Sequence, residues 1–128
     1  MRVLIDTQVI IWLASGLESR LTPAAKRCFA QAEELFLSVV SYWEISIKRS
    51  IKKLRWEDRE AEAFVRGLRE NQIQEMALRR AHCDEIVTLP WHHKDPFDRM
   101  LIAQAQVEKL SMLTADPRFK EYGVKVVW

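Results

Sequence analysis

Short apolar runs alternate with helix-patterned segments from one end of this sequence to the other, and that alternation is what most restricts the fold. "RVLI", "LFLSVV", "IQEMAL", "SMLTA" and "VKVVW" have the length and character of short buried strands. Between them, "TQVIIWLAS" reads as a buried helix ending near Gly16, and "LTPAAKRCFAQAEE" opens with Thr22 as a cap and Pro23 at the first helical position. "SYWEISIKRSIKKL" places Trp43, Ile47, Ile51 and Leu54 on one helical face, and "EDREAEAFVRGLRE" does the same with Ala61, Phe64, Val65 and Leu68. A short helix near "AHCDEIVTL" leads through the loop "PWHHKDP" to a longer helix, "FDRMLIAQAQ". This order predicts an α/β fold with a mostly parallel sheet of about five strands, covered on both faces and joined by right-handed crossovers. In that class the ligand crevice lies beyond the carboxyl ends of the strands, where the strand order reverses.

The 128 residues show no composition shift that would mark a linker, so one domain over residues 1–128 is expected. No apolar run approaches the length of a membrane span, and "MRVLID" lacks the apolar region of a signal peptide, so a cytoplasmic location is expected. Cys28 and Cys83 lack paired spacing and read as small core residues in a reducing compartment. The net charge of +2 conceals a stronger bias. With four acids neutralised in a site, 20 basic side chains face 14 acidic ones, a balance of +6 that favours a polyanionic partner.

One acid disturbs the helical pattern. At about 100° per residue, Phe97, Leu101, Ile102 and Ala105 cluster on one side, and Asp98 falls inside that stripe. A carboxylate there must be paired, hydrogen-bonded or bound to a metal. Three further acids stand where the crevice is expected: Asp6 directly after "RVLI", Asp116 directly after "SMLTA", and Glu44 one turn into the helix that follows the second strand. Each of the four also occupies a capping position, with Asp6 before "TQVIIW", Glu44 three residues after Ser41, Asp98 three after Asp95, and Asp116 before Pro117. A cap or dipole complement of that kind is worth on the order of 1 kcal/mol. Direction favours convergence instead, because Asp98 lies within an apolar stripe and Glu44 at the edge of the one formed by Ile47 and Ile51. Against it, Lys48 one turn on offers Glu44 a surface ion pair worth ~0.3 to 0.5 kcal/mol.

Like charges about 4 Å apart repel by about 4 kcal/mol at an effective dielectric of 20. Converging acids therefore need raised pKa values or a hard divalent cation, and an all-oxygen site selects Mg²⁺ or Mn²⁺ over zinc. Thr114, two residues before Asp116 and on the same side of its strand, is placed to orient a carboxylate or a metal-bound water.

Taken together, "LIDTQVIIW", "SYWEISIK", "HHKDPFDRMLIAQA" and "LTADPRF" resemble the PIN domain, and specifically the VapC-type toxins of bacterial and archaeal toxin–antitoxin pairs, along essentially the whole chain. The resemblance implies a PIN-like three-layer α/β/α fold. It maps the family's acidic positions onto Asp6, Glu44, Asp98 and Asp116, with Thr114 at its common hydroxyl position. It further implies a Mg²⁺- or Mn²⁺-dependent endoribonuclease that cuts structured RNA, such as tRNA or ribosomal RNA, and that pairs with a cognate VapB-type antitoxin and commonly as a homodimer. Within that reading, Asp6 and Asp98 are expected as direct metal ligands, and Asp116 and Glu44 as ligands through water or to a second metal.

The remaining polar features are expected to play smaller parts. His92 and His93 lack zinc-site spacing and read as solvent-exposed, His82 as structural, and Asp95 as a helix cap. Arg99 either reaches an RNA phosphate from beside the site or is a solvated helix residue. Lys48, Arg49, Lys52, Lys53 and Arg55, with Arg79, Arg80, Lys94, Arg118 and Lys120, form either a solvated face or a track for an RNA backbone, with stacking from Trp56 or Trp91. Trp12 and Trp43 read as core. Three other functions compete. A phosphoacceptor receiver needs an acidic pair after its first strand, where "IDTQ" has Asp6 alone. A PIN nuclease of RNA processing or DNA cleavage would share every catalytic residue, and a non-catalytic binding module would tolerate Asp98→Asn.

Overall fold

The computed structural model describes residues 1–128. Five strands, β1 (Arg2–Ile5), β2 (Glu34–Ser38), β3 (Gln74–Met76), β4 (Ser111–Leu113) and β5 (Val126–Val127), form one sheet in the order β3-β2-β1-β4-β5. Every neighbouring pair is parallel. Parallel strands need crossovers, and these are α1 (Thr7–Ala14), α2 (Pro23–Gln31), α3 (Val39–Ser50), α4 (Asp58–Glu70), α5 (Arg80–Ile86) and α6 (Pro96–Glu108), with 3₁₀ turns at Glu18–Arg20 and Pro117–Tyr122.

The period of two along each strand divides the core. Leu4, Phe36 and Met112 pack with Leu101, Ile102, Ala105 and Phe119 on one face of the sheet. Val3, Ile5, Leu35, Leu37 and Leu113 pack with Val9, Ile10, Ala25, Phe64 and Leu68 on the other. Between their polar end residues Arg2, Glu34, Ser38 and Ser111, the central strands are therefore apolar on both faces, as a sheet covered on both sides requires. Each fully buried aliphatic side chain contributes about 1.5 to 3 kcal/mol to holding the three layers together. No helix is long and apolar enough to cross a membrane.

The chain steps outward from β1 to β2 and β3, then returns to the opposite side of β1 for β4 and β5. The order thus reverses between β1 and β4, where Ile5 is in register with Leu113. The residues that follow these two strands, Asp6 and Thr114, become neighbours across that gap.

Several local expectations are corrected. The helix expected to start at Ser41 begins at Val39, because the Ser38 hydroxyl accepts the Val40 N–H at 3.0 Å and takes the cap. The buried face of α3 is Val40, Ser41, Glu44 and Ile45 rather than Trp43, Ile47 and Ile51. Trp43 is 59 % exposed, with its ring edge-on to Phe97, and Ile51 lies beyond the helix end, also exposed. Val65 faces solvent from α4, and Cys83 is exposed while Cys28 is half-buried. Trp12 is half-buried against Trp128.

Candidate active site

Asp6, Glu44, Asp98 and Asp116 line one cavity of about 340 Å³, together with Lys48 and Asp95. It opens at the reversal point of the sheet, beyond the carboxyl ends of β1 and β4. A second cavity of about 400 Å³, lined by Ile10, Leu13, Phe29 and Phe64 among others, is mostly apolar and lies between helices on one face of the sheet. The acidic cavity holds the concentrated chemistry.

Asp6 precedes the first residue of α1, yet its side chain makes no capping bond. It is 6 % exposed, and Oδ2 accepts the Thr114 hydroxyl at 2.7 Å. Burial is the main cause that pushes its pKa up to about 7; the Thr114 bond opposes this, and the charges of Asp98, Glu44 and Asp116 add to it. Thr114 Oγ1 in turn accepts the Asp116 N–H at 3.1 Å, so one buried hydroxyl spaces two acids.

Asp98 sits in the first turn of α6, where Asp95 caps the helix by accepting the Asp98 N–H at 3.0 Å. Its Oδ2 lies 2.7 Å from His93 Nε2. Burial first, and then the neighbouring Asp95, Glu44 and Asp116 charges, raise its pKa to about 7. Asp116 caps the 3₁₀ turn after it by accepting the Arg118 N–H at 2.9 Å, and the Arg118 guanidinium grips both carboxylate oxygens. Burial raises Asp116, but those bonds and the Arg118 charge outweigh it and leave its pKa below the ordinary value.

Glu44 is 7 % exposed and pairs through Oε2 with Lys48 at 2.8 Å. The ion pair expected on the surface therefore forms at the wall of the cavity. Glu44 Oε1 is buried without a hydrogen-bond partner. An unsatisfied buried acceptor costs about 1 to 3 kcal/mol, more when charged, and a hard cation in the cavity would satisfy it. The donors present are carboxylate oxygens, the set that suits Mg²⁺ or Mn²⁺.

Two sequence expectations fail here. Arg99 is neither solvated nor beside the cavity mouth: it is 3 % exposed, and its guanidinium donates to the carbonyls of Leu89, Pro90 and His93 and lies 3.8 Å from the centre of the Trp91 ring. A planar group with five donors is suited to gathering several carbonyls of one loop. Trp91 itself is 75 % exposed, whereas Trp56 is half-buried and donates to Ser15 Oγ. His93 is not in solvent but 6 % exposed, and its Nε2 and one oxygen each from Asp98 and Asp116 lie within 4.8 Å of one another. The available signal was position: a histidine two residues before a helix cap can reach the side chain at the third helical position. His82, by contrast, is structural as expected, fully buried between the Arg79 N–H and Glu108.

The sequence matches the family model for the PIN domain over residues 3–125. No curated protein matches it. Among solved structures, it is similar to VapBC2 from Rickettsia felis bound to a DNA fragment from their promoter, with a TM-score of 0.73, 10 % identity, and coverage of 98 % of this chain and 97 % of that one. A toxin–antitoxin complex from Klebsiella pneumoniae matches with a TM-score of 0.61 and 19 % identity, covering 89 % of this chain and 86 % of that one. FitAcB from Neisseria gonorrhoeae matches with a TM-score of 0.61 and 17 % identity, covering 97 % and 95 %. At these identities the structural likeness speaks to the fold.

Proposed function

The chain belongs to the PIN domain family, and from that premise we propose that it is a Mg²⁺- or Mn²⁺-dependent endoribonuclease acting as the toxin of a toxin–antitoxin pair. Its proposed substrate is structured RNA such as tRNA or ribosomal RNA, and its proposed regulator a cognate VapB-type antitoxin. The observation that carries this reading is the convergence of Asp6, Glu44, Asp98 and Asp116 on one cavity at the reversal point of the sheet, with a buried Glu44 oxygen left unpaired.

When bound there, a divalent cation supplies Lewis-acid polarisation of the scissile phosphate and a more acidic water for in-line attack on phosphorus. Asp6 and Asp98 would hold it directly, and Asp116 and Glu44 through water or at a second ion. Thr114 keeps Asp6 in one orientation through its 2.7 Å bond. Lys48 fixes one oxygen of Glu44, and the other is buried without a partner. Arg118, half-exposed beside Asp116, offers positive charge where a phosphate would approach. The toxin role is supported by the likeness to VapBC2 and to the Klebsiella pneumoniae complex. Pairing as a homodimer belongs to the same proposal.

The test is cleavage of total cellular RNA by the purified protein with Mg²⁺, with Mn²⁺ and with chelator, alongside Asp6→Asn and Asp98→Asn. Discrete metal-dependent cuts lost in both variants support the nuclease and identify its substrate. No cutting, with variants matching the wild type in metal binding and stability, returns these acids to helix-terminal roles and favours a binding module. A small protein encoded beside this chain that co-purifies with it and suppresses cleavage separates the toxin from a PIN nuclease of RNA processing.

A further inference from the structure

We propose that His93 is a positioning residue, which donates its Nε2–H to Oδ2 of Asp98 and so fixes that carboxylate toward the cavity, and that it is not itself a metal ligand. The inference rests on reading the cavity as a metal centre, and it assigns a task to a buried group that the proposed reaction leaves unused.

His93 is held at three points. Its backbone N–H donates to the Tyr122 hydroxyl at 2.8 Å, and its carbonyl accepts from the buried Arg99 guanidinium at 3.3 Å. The third contact decides the ring chemistry: the Asp95 backbone N–H lies 3.2 Å from His93 Nδ1. An amide N–H can only donate, so Nδ1 is the bare nitrogen and the neutral ring carries its hydrogen on Nε2. That nitrogen is 2.7 Å from Asp98 Oδ2 and 3.7 Å from Asp116 Oδ2.

A nitrogen bearing hydrogen has no lone pair to offer a cation. Although Nε2 and the two carboxylates are close enough to hold an ion, the bond to the Asp95 amide makes the ring a donor to those acids instead. The bonds close a cycle over six residues: Asp95 N–H to His93 Nδ1, Asp98 N–H to Asp95 Oδ1, and His93 Nε2–H to Asp98 Oδ2. Asp98 is thereby fixed at its backbone and at one carboxylate oxygen, and Oδ1 remains for a ligand. Hydrogen-bond partners that orient metal ligands typically change metal affinity about 10- to 100-fold when removed.

The first test needs no variant. Long-range ¹H–¹⁵N spectra of the histidine rings in the wild-type protein, without and with Mg²⁺, should show His93 protonated at Nε2 and bare at Nδ1 in both states. A proton on Nδ1, or loss of the Nε2 proton when Mg²⁺ is added, overturns the proposal. The second is Mn²⁺ titration calorimetry on wild type, His93→Leu and His93→Gln. Leucine should weaken binding about 10- to 100-fold, and glutamine, whose amide can donate to Asp98, should recover most of it. Unchanged Mn²⁺ affinity in His93→Leu overturns the proposal, as does a wild type that binds no cation. RNA cleavage by the wild type is scored separately, so His93-dependent Mn²⁺ binding without cleavage supports the positioning role while removing the nuclease.

Discussion

Asp6 and Asp98 are the residues whose energetics the fold most disturbs. Both have an ordinary carboxyl pKa of 3.8 that rises to about 7 in the folded protein, chiefly through burial. Between those values the native state holds protons that the unfolded chain has released, so without metal their contribution to stability is lost as pH rises through this window. The melting temperature of the metal-free protein should accordingly be higher near pH 5 than near pH 8, with Mg²⁺ raising it at pH 8 and having little effect at pH 5; a metal-free melting curve that rises toward pH 8 would contradict the shifts. By the same logic Asp6→Asn should abolish cleavage yet stabilise the metal-free protein at pH 8 by roughly 1 kcal/mol, or about 4 °C at this length, in thermal melts. The position of Asp6 at the end of β1 was legible because apolar residues stop there, whereas β4 ends at Leu113 and Asp116 lies beyond it as the cap of the 3₁₀ turn, not directly after the strand as expected. The burial of His93 was not legible, because it depends on Tyr122, a remote residue whose hydroxyl meets the loop that Arg99 gathers.

At the scale of elements, the alternation of strands and helices was legible and their joints were less so. "LFLSVV" reads as strand to its end because Val39 and Val40 are β-branched, whereas the chain turns helical at Val39 once Ser38 takes the Val40 N–H. Glu44 lies on the buried face of α3, one turn from Ser41, whose hydroxyl meets that of Thr7 at 2.8 Å. Ser38→Ala should therefore cost about 1 kcal/mol as a lost cap in chemical denaturation. A neutral result would move the helix start back toward Ser41. Arg99 governs the next joint, gathering the loop between α5 and α6. Arg99→Lys cannot reproduce those forked contacts, so it should destabilise by about 2 to 4 kcal/mol and weaken Mn²⁺ binding together. Loss of stability with Mn²⁺ affinity intact in the folded fraction would show that the loop, although anchored there, does not hold the site.

For the whole molecule, the sheet order β3-β2-β1-β4-β5 is what brings an acid near the start of the chain together with one near its end. Neither local pattern nor spacing contains that order, because the parallel fold class admits more than one. The same arrangement separates charge. Five acids and Lys48 line one cavity, and the remaining 19 basic against 13 acidic side chains, a balance of +6, lie outside it. An RNA backbone entering the site would therefore meet positive charge first, at Arg118 and at Lys48, and be admitted to the acids only when a cation offsets them. Binding of a short RNA by the cleavage-deficient Asp6→Asn protein should weaken as salt rises. Contact with three to five phosphates corresponds to a slope of roughly −2 to −4 in log K against log salt. Affinity indifferent to salt would mean that the basic side chains are a solvated face and that the RNA is held somewhere other than across this cavity.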